Sequence, residues 1–347
     1  MMSLHRLAIA LALPALLHAQ APERVSLDGR DVAIYNLVGT LQVEGGTGDR
    51  VVVDVTRRGR DAGRLRLETG NVRGRATLRV VYPADRILYV TDKWTGRTTF
   101  TVAADGTWGD GDNGSERRHI EVSSRGDGLD AHADLKVTVP KGRALSLWQG
   151  VGETTIENVD GQIVVNAAAA RVRVAHVRGA LRLDTGSGGV DVSDATGDVT
   201  IDAGSGGATL DGIRGGSLHM DLGSGSMRGR AIDVRELIAD VGSGGIHLSG
   251  VKTPTLHLDS GSGGTDIELL AAPDDVAIDG GSGGVTLRLP ASTSATVDIE
   301  TGSGGIESDF DVKLTRVERR ALRGTIGTGK GRIKIESGSG SVRLLRS

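Results

Sequence analysis

Apolar and polar residues alternate along most of this chain, and glycine-rich corners interrupt the alternation at nearly constant intervals. Around the first corner the chain reads Leu181-Arg-Leu183-Asp184-Thr-Gly-Ser-Gly-Gly-Val190-Asp-Val192. A period of two on both sides of the glycines is the signature of strands with one buried face. Between Asp184 and Ile306 the pattern acid, spacer, Gly-Ser-Gly-Gly or Gly-Ser-Gly-Ser occurs seven times. Its first glycines are Gly186, Gly204, Gly223, Gly242, Gly261, Gly281 and Gly302, spaced by 18, 19, 19, 19, 20 and 21 residues. A motif returning at almost one period predicts a stack of equivalent coils. Each coil is a strand, a corner, a second strand and a turn back.

The apolar columns extend beyond the motif. Ile163, Val165, Val172 and Val174 match one earlier coil, and Leu145, Leu147 and Ile156 match the one before it. Forward, Ile333, Ile335, Glu336 and Gly338-Ser-Gly-Ser predict a final coil, 36 residues after Gly302, beyond an excursion over residues 310–330. About ten coils at the ~4.8 Å inter-strand spacing would build a rod roughly 45 Å long. The predicted organisation is a signal peptide over 1–19, irregular β-rich N-terminal coils that cap the rod over 20–142, and a regular solenoid over 143–347.

Glycine at a corner implies either positive φ or very close chain approach, both of which a Cβ opposes. A flexible Gly/Ser linker would not keep register with columns of Leu, Val and Ile.

Composition sharpens this picture. The chain has 347 residues, 54 Gly, no Cys and eight aromatics (three Trp, three Tyr, two Phe). Thin layers of Val, Ile, Leu and Ala suit a solenoid, whose stability is summed between neighbouring coils. Arg6, the apolar run Leu7 to Leu17 and the sequence His18-Ala19-Gln20 read as a signal peptide cleaved after Ala19. Its apolar run is too short to span a membrane, so no span is expected once it is removed. Without Cys there is no disulfide framework and no thiol chemistry. The net charge of −3 shows no bias toward nucleic acid.

The acidic column is the sharpest candidate for chemistry: Asp184, Asp202, Asp221, Asp240, Asp259, Asp279, Glu300 and Glu336. Stacked carboxylates ~5 Å apart in water repel by ~1 kcal/mol per pair. Two readings offset this repulsion. Each carboxylate accepts N–H groups of its own glycine corner, or the column binds Ca²⁺ through carboxylate and carbonyl oxygens. The first is expected, because a ligand site normally departs from a repeat and this column obeys it. A second calcium candidate is Asp110, Asp112 and Asn113, in the loop Ala103 to Glu116, although the twelve-residue calcium-loop spacing is absent. Trp94, Trp108 and Tyr89 lie near that loop in sequence and are expected to pack the cap. Eight arginines between Arg57 and Arg79 are read as the solvated face of two strands. His219 and His257 share an outward column with Ile238 between them. No catalytic, cofactor-binding or metal residues are assigned, and no cofactor is expected.

The chain also resembles a known family. The opening Asp31-Val-Ala-Ile-Tyr-Asn-Leu-Val-Gly-Thr-Leu-Gln-Val-Glu-Gly, the stretch Asp134-Leu-Lys-Val-Thr-Val-Pro-Lys-Gly, the Gly-Ser-Gly corners and Gly327-Thr-Gly-Lys-Gly are similar to the bacterial putative-adhesin, or toastrack, β-solenoid family of unknown function. The resemblance implies an all-β fold, a single-stranded right-handed parallel β-helix. It also implies a non-enzymatic role at the envelope or cell surface, and in relatives an association with membrane-stress modules. Three functions stay open. The expected one is a secreted scaffold or binding element, in the periplasm or at the cell surface, with a protein or polysaccharide partner. The others are an accessory of an envelope-stress or signalling system and a β-helix enzyme acting on acidic polysaccharide.

Overall fold

The computed structural model describes residues 22–109 and 116–347. The expected signal peptide and the calcium candidates Asp110, Asp112 and Asn113 lie outside the described residues. Within them the chain is a parallel β-solenoid, with one short 3-10 turn at Ala62–Arg64.

The sequence columns are the ladder. Asp184 pairs with Asp202, Asp202 with Asp221, Asp221 with Asp240, Asp240 with Asp259 and Asp259 with Asp279, all in parallel register. Inward, Leu183, Ile201, Met220, Ala239, Leu258 and Ile278 stack in one buried column. Each layer is thin, so burial accumulates coil by coil, at roughly 25 cal/mol per Å² of apolar surface removed from water.

The corners resolve the two roles proposed for glycine in favour of close approach. A Cβ on Gly244, the motif's third position, would sit 1.9 Å from the carbonyl oxygen of Gly225 in the preceding coil. The same position in neighbouring coils meets the same obstacle: 2.0 Å at Gly206, Gly225 and Gly263. The fourth position is less crowded. A Cβ on Gly245 would meet nothing nearer than 3.3 Å, which explains why Ser226 and Ser341 stand there in other coils. Left-handed backbone appears instead at the turn back, as at Gly197 (φ 140°), where a Cβ would lie 2.1 Å from the oxygen of Gly179.

One expectation fails at the C-terminal end. The coil containing Glu336 is not the last layer. Strand Gly331–Ser337 lies between Asp275–Gly280 and Ala295–Thr301, pairing in parallel with both. In space the acidic column therefore runs Asp279, Glu336, Glu300. The excursion supplies an antiparallel hairpin, Val312–Glu318 and Ala321–Ile326, whose second strand pairs with the outer edge of Ala295–Thr301. An open parallel edge is a template for unwanted pairing, and the hairpin covers it.

The other end is closed by a similar device. Strand Asp31–Gly46 is a full coil, in parallel register with Arg143–Glu157. Its far side carries Arg75–Val81 and His132–Pro140. Antiparallel strands follow: Arg66–Val72 on the first and Val51–Arg58 on the second, with Glu23–Leu27 beyond. A small sheet of Arg86–Leu88, Arg97–Ala103 and Arg117–Ser123 flanks the first coils. Phe100 from this sheet lies at Gly150 and meets Trp108 edge-on at 5.3 Å.

Candidate interaction faces

Register alone builds the acidic face. Because successive coils pair without slippage, the residue two places before each corner projects from the same outer column. Asp184 to Asp279 form one exposed stripe, continued by Glu336 and Glu300. Toward the N-terminal end the same column passes through Asn166 to Trp148 and Tyr35. One outer column is thus aromatic at one end and anionic along the rest.

The expected role of these carboxylates is not the one observed. The corner N–H groups are already used by the preceding coil: Ser205 N–H donates to Gly186 O at 2.9 Å, Gly223 to Ala203 O at 3.0 Å, and Gly242 to Leu222 O at 2.9 Å. With those donors spent, no corner N–H bonds to Asp202, Asp221, Asp240 or Asp259 among the described residues. Their charges face one another along the ladder. Asp202 has its carboxyl pushed above the usual range, first by partial burial and then by Asp184 and Asp221. Asp259 is raised likewise, by partial burial and by Asp240 and Asp279. Arg182 opposes the shift at Asp202, and direct ion pairs stand at the C-terminal end of the stripe: Lys334 holds Glu336 at 2.7 Å, and Arg323 bridges Asp298 at 2.8 Å and Glu300.

A shallow groove of about 600 Å³ runs along this face, lined by Asp221, Asp240, Asp259 and Asp279, with Ile238 and His257 beside them. The histidines occupy the column expected, His219 then Ile238 then His257. Each is tied to its own acid, His219 Nε2 to Glu236 at 3.3 Å and His257 Nε2 to Asp275 at 2.8 Å. Among the described residues no group of three or more His, Cys, Asp or Glu is placed to hold a metal ion. The arrangement can attract cationic groups over several coils; it does not converge on one atom.

The arginines between Arg57 and Arg79 are largely engaged by acids. Arg57 meets Glu23, Arg58 meets Asp134 at 2.5 Å, Arg60 meets Asp130 at 2.8 Å, and Arg79 meets Asp105 at 3.3 Å. Trp108 packs beside the Tyr35–Trp148 stack, as a cap residue should. Trp94 also packs on the core, beside Tyr89, and has a second neighbourhood. Its ring is only partly buried, and it lines a cleft with Arg171, Arg173 and Glu153 that the sequence did not reveal. The available signal was a break in the repeat: Ala168-Ala-Ala170-Arg171 stands where later coils carry the glycine corner.

The family model "Toastrack DUF4097" matches residues 115–345. Among solved structures, a "putative cell adhesion protein" from Clostridium sporogenes aligns at 10% identity over 94% of this chain and 100% of its own, with a TM-score of 0.18. No curated protein matches the chain. No helix among the described residues is long and apolar enough to cross a membrane.

Proposed function

Since the chain belongs to the toastrack family, a β-solenoid family of unknown function, we propose that it is a non-catalytic binding rod of the bacterial envelope, secreted to the periplasm or cell surface. The observation that supports this reading most is the stripe from Asp184 to Asp279, whose carboxylates, among the described residues, form no direct ion pair and accept no corner N–H. Inward columns and corners are fixed by packing, whereas outward columns are free to vary. Charge has been kept on one of them in coil after coil, against its own repulsion. Such a surface gains when it meets a cationic partner and is screened by salt. A catalytic site would need groups converging on a reacting atom, and ladder register holds these apart at even spacing.

The test is co-sedimentation of the purified chain, lacking residues 1–19, with isolated bacterial envelopes. Retention is expected at low salt, lost near 1 M salt where the screening length falls to about 3 Å. Retention should also fall in the triple variant Asp221→Asn, Asp240→Asn, Asp259→Asn. No retention at low salt, or cleavage of an acidic polysaccharide by the purified chain, overturns the reading.

A further inference from the structure

The corner column holds one interruption, and a cleft forms there. In the regular coils the third and fourth corner positions are Gly or Ser and carry no long side chain. In the two coils before them the same positions hold Ala170-Arg171 and Gly152-Glu153, paired residue for residue. The segment between Arg86–Leu88 and Arg97–Ala103, an insertion in the N-terminal coils, brings Lys93 and Trp94 to this corner. Between insertion and corner lies a cleft of about 450 Å³, within the usual size range of small-ligand sites.

Its walls are chemically distinct. Trp94 forms one side, seated at 6.3 Å from the buried Tyr89 ring. Gly152, Gly188, Ala169 and Ser187 also line it. Four charged side chains share the lining: Lys93, Glu153, Arg171 and Arg173. Arg171 donates from Nε and Nη2 to Asp191 Oδ2 at 3.0 and 2.7 Å. Arg173 meets Glu153, and Lys93 Nζ reaches the same carboxylate at 2.8 Å. Three cations thus share Glu153 and Asp191, leaving the cluster one positive charge in excess. Both arginine side chains are about half exposed, at 54% and 46%, so an incoming anion can approach them beside the carboxylates they already hold.

We propose that this cleft binds an acidic saccharide, with a pyranose ring laid on Trp94 and its carboxylate taken by Arg171 and Arg173. A flat indole face suits the C–H face of a sugar ring, and an arginine fork suits a carboxylate in two-point contact. Glu153 accepts from sugar hydroxyls while keeping Lys93 in place. The site is separate from the acidic stripe and goes beyond the envelope-binding reading, which can fail without it.

Calorimetric titration of the chain lacking residues 1–19 tests the assignment, with digalacturonate, a neutral galactose disaccharide and a tetraglutamate peptide as probes. Saturable binding of digalacturonate is expected, at least tenfold tighter than the neutral disaccharide and weakened by salt. Trp94→Ala and Arg171→Gln should each lower affinity at least tenfold, with Trp94→Phe between wild type and Trp94→Ala. A thermal melt of each variant separates loss of ligand from loss of fold. The triple stripe variant should bind digalacturonate as the wild type does. The assignment is overturned if digalacturonate does not bind at millimolar concentration, if the neutral sugar or the peptide binds equally well, or if folded Trp94→Ala keeps its affinity.

Discussion

The coils before Gly186 and the coils after it make the same bend with different chemistry. In the regular coils the strand breaks at the corner, and two backbones touch where a Cβ would collide. In the early coils the strand runs through the bend, as in Asp31–Gly46, Arg143–Glu157 and Gly161–Arg178. In the first two of these the inside of the corner is filled by amide side chains, and in the third Ala167 stands at the place of Gln149. Gln149 Nε2 donates to Gly39 O at 2.8 Å and Val151 O at 2.9 Å, and Asn36 Nδ2 donates to Ala133 O at 2.9 Å. Tyr82 donates its hydroxyl to Val38 O at 2.9 Å. The outer column changes in step. Tyr35 and Trp148 stack at 4.3 Å between ring centroids, both buried with Trp108 beside them, where later coils expose aspartate. Covered coils hold large buried groups; open coils are built from glycine and charge.

The largest effect expected from this comparison is at a regular corner. Gly244→Val places a side chain 1.9 Å from Gly225 O, backbone that cannot move without shifting the coil below. A loss of about 3 kcal/mol or more is expected, the range reached by severe overpacking. The neighbouring Ser243 is exposed, and Ser243→Ala should stay within about 0.5 kcal/mol. Chemical denaturation of the two variants decides the matter: similar small losses would mean that the corners are not in contact.

The matching experiment on the early coils is Gln149→Ala. Gln149 is fully buried, and its removal strands the carbonyl oxygens of Gly39 and Val151 and leaves a cavity. A loss of about 2–3 kcal/mol is expected, from unsatisfied buried carbonyls and lost packing together. If Gln149→Ala unfolds at the same denaturant concentration as the wild type, the amide network is incidental. The early bend would then be held by strand pairing alone.

What the sequence made legible follows from this difference. Inward columns repeat, so period-two patterning exposed them, and invariant glycines at the first and third corner positions beside a variable fourth encoded the contact. Layer order was not encoded. Asp279, Glu336 and Glu300 carry the same column residue, so inserting Gly331–Ser337 between two earlier coils leaves every column intact. Asn36 and Gln149 meet across 113 residues, and nothing local marks either as a partner. Trp94 reaches the Arg171 corner through an insertion whose placement is purely tertiary. The acidic column was visible, but its role was misread, because the corner N–H groups already serve the adjacent coil.

That misreading leads to the smallest and most discriminating prediction. If the aspartates fastened their corners, replacing them would destabilise the rod; if they only repel, replacement should help slightly. Asp202 and Asp259 are both raised above the ordinary aspartate value of 3.8. A carboxyl raised in the folded state binds its proton more tightly there than in the unfolded chain. It therefore costs stability at neutral pH, and that cost is relieved as pH falls through the raised value toward 3.8. Asp54 and Asp211 act in the opposite sense, lowered by the hydrogen bonds of Arg24 and Arg230. They are common to wild type and variant and cancel in a difference. The double variant Asp202→Asn, Asp259→Asn should melt slightly above the wild type at pH 7, by less than about 1 kcal/mol for exposed charges. The margin should shrink as pH is lowered toward the ordinary carboxylate range. A variant less stable than the wild type at pH 7 would restore the carboxylates as structural fasteners, and the stripe would lose its standing as a surface kept for a partner.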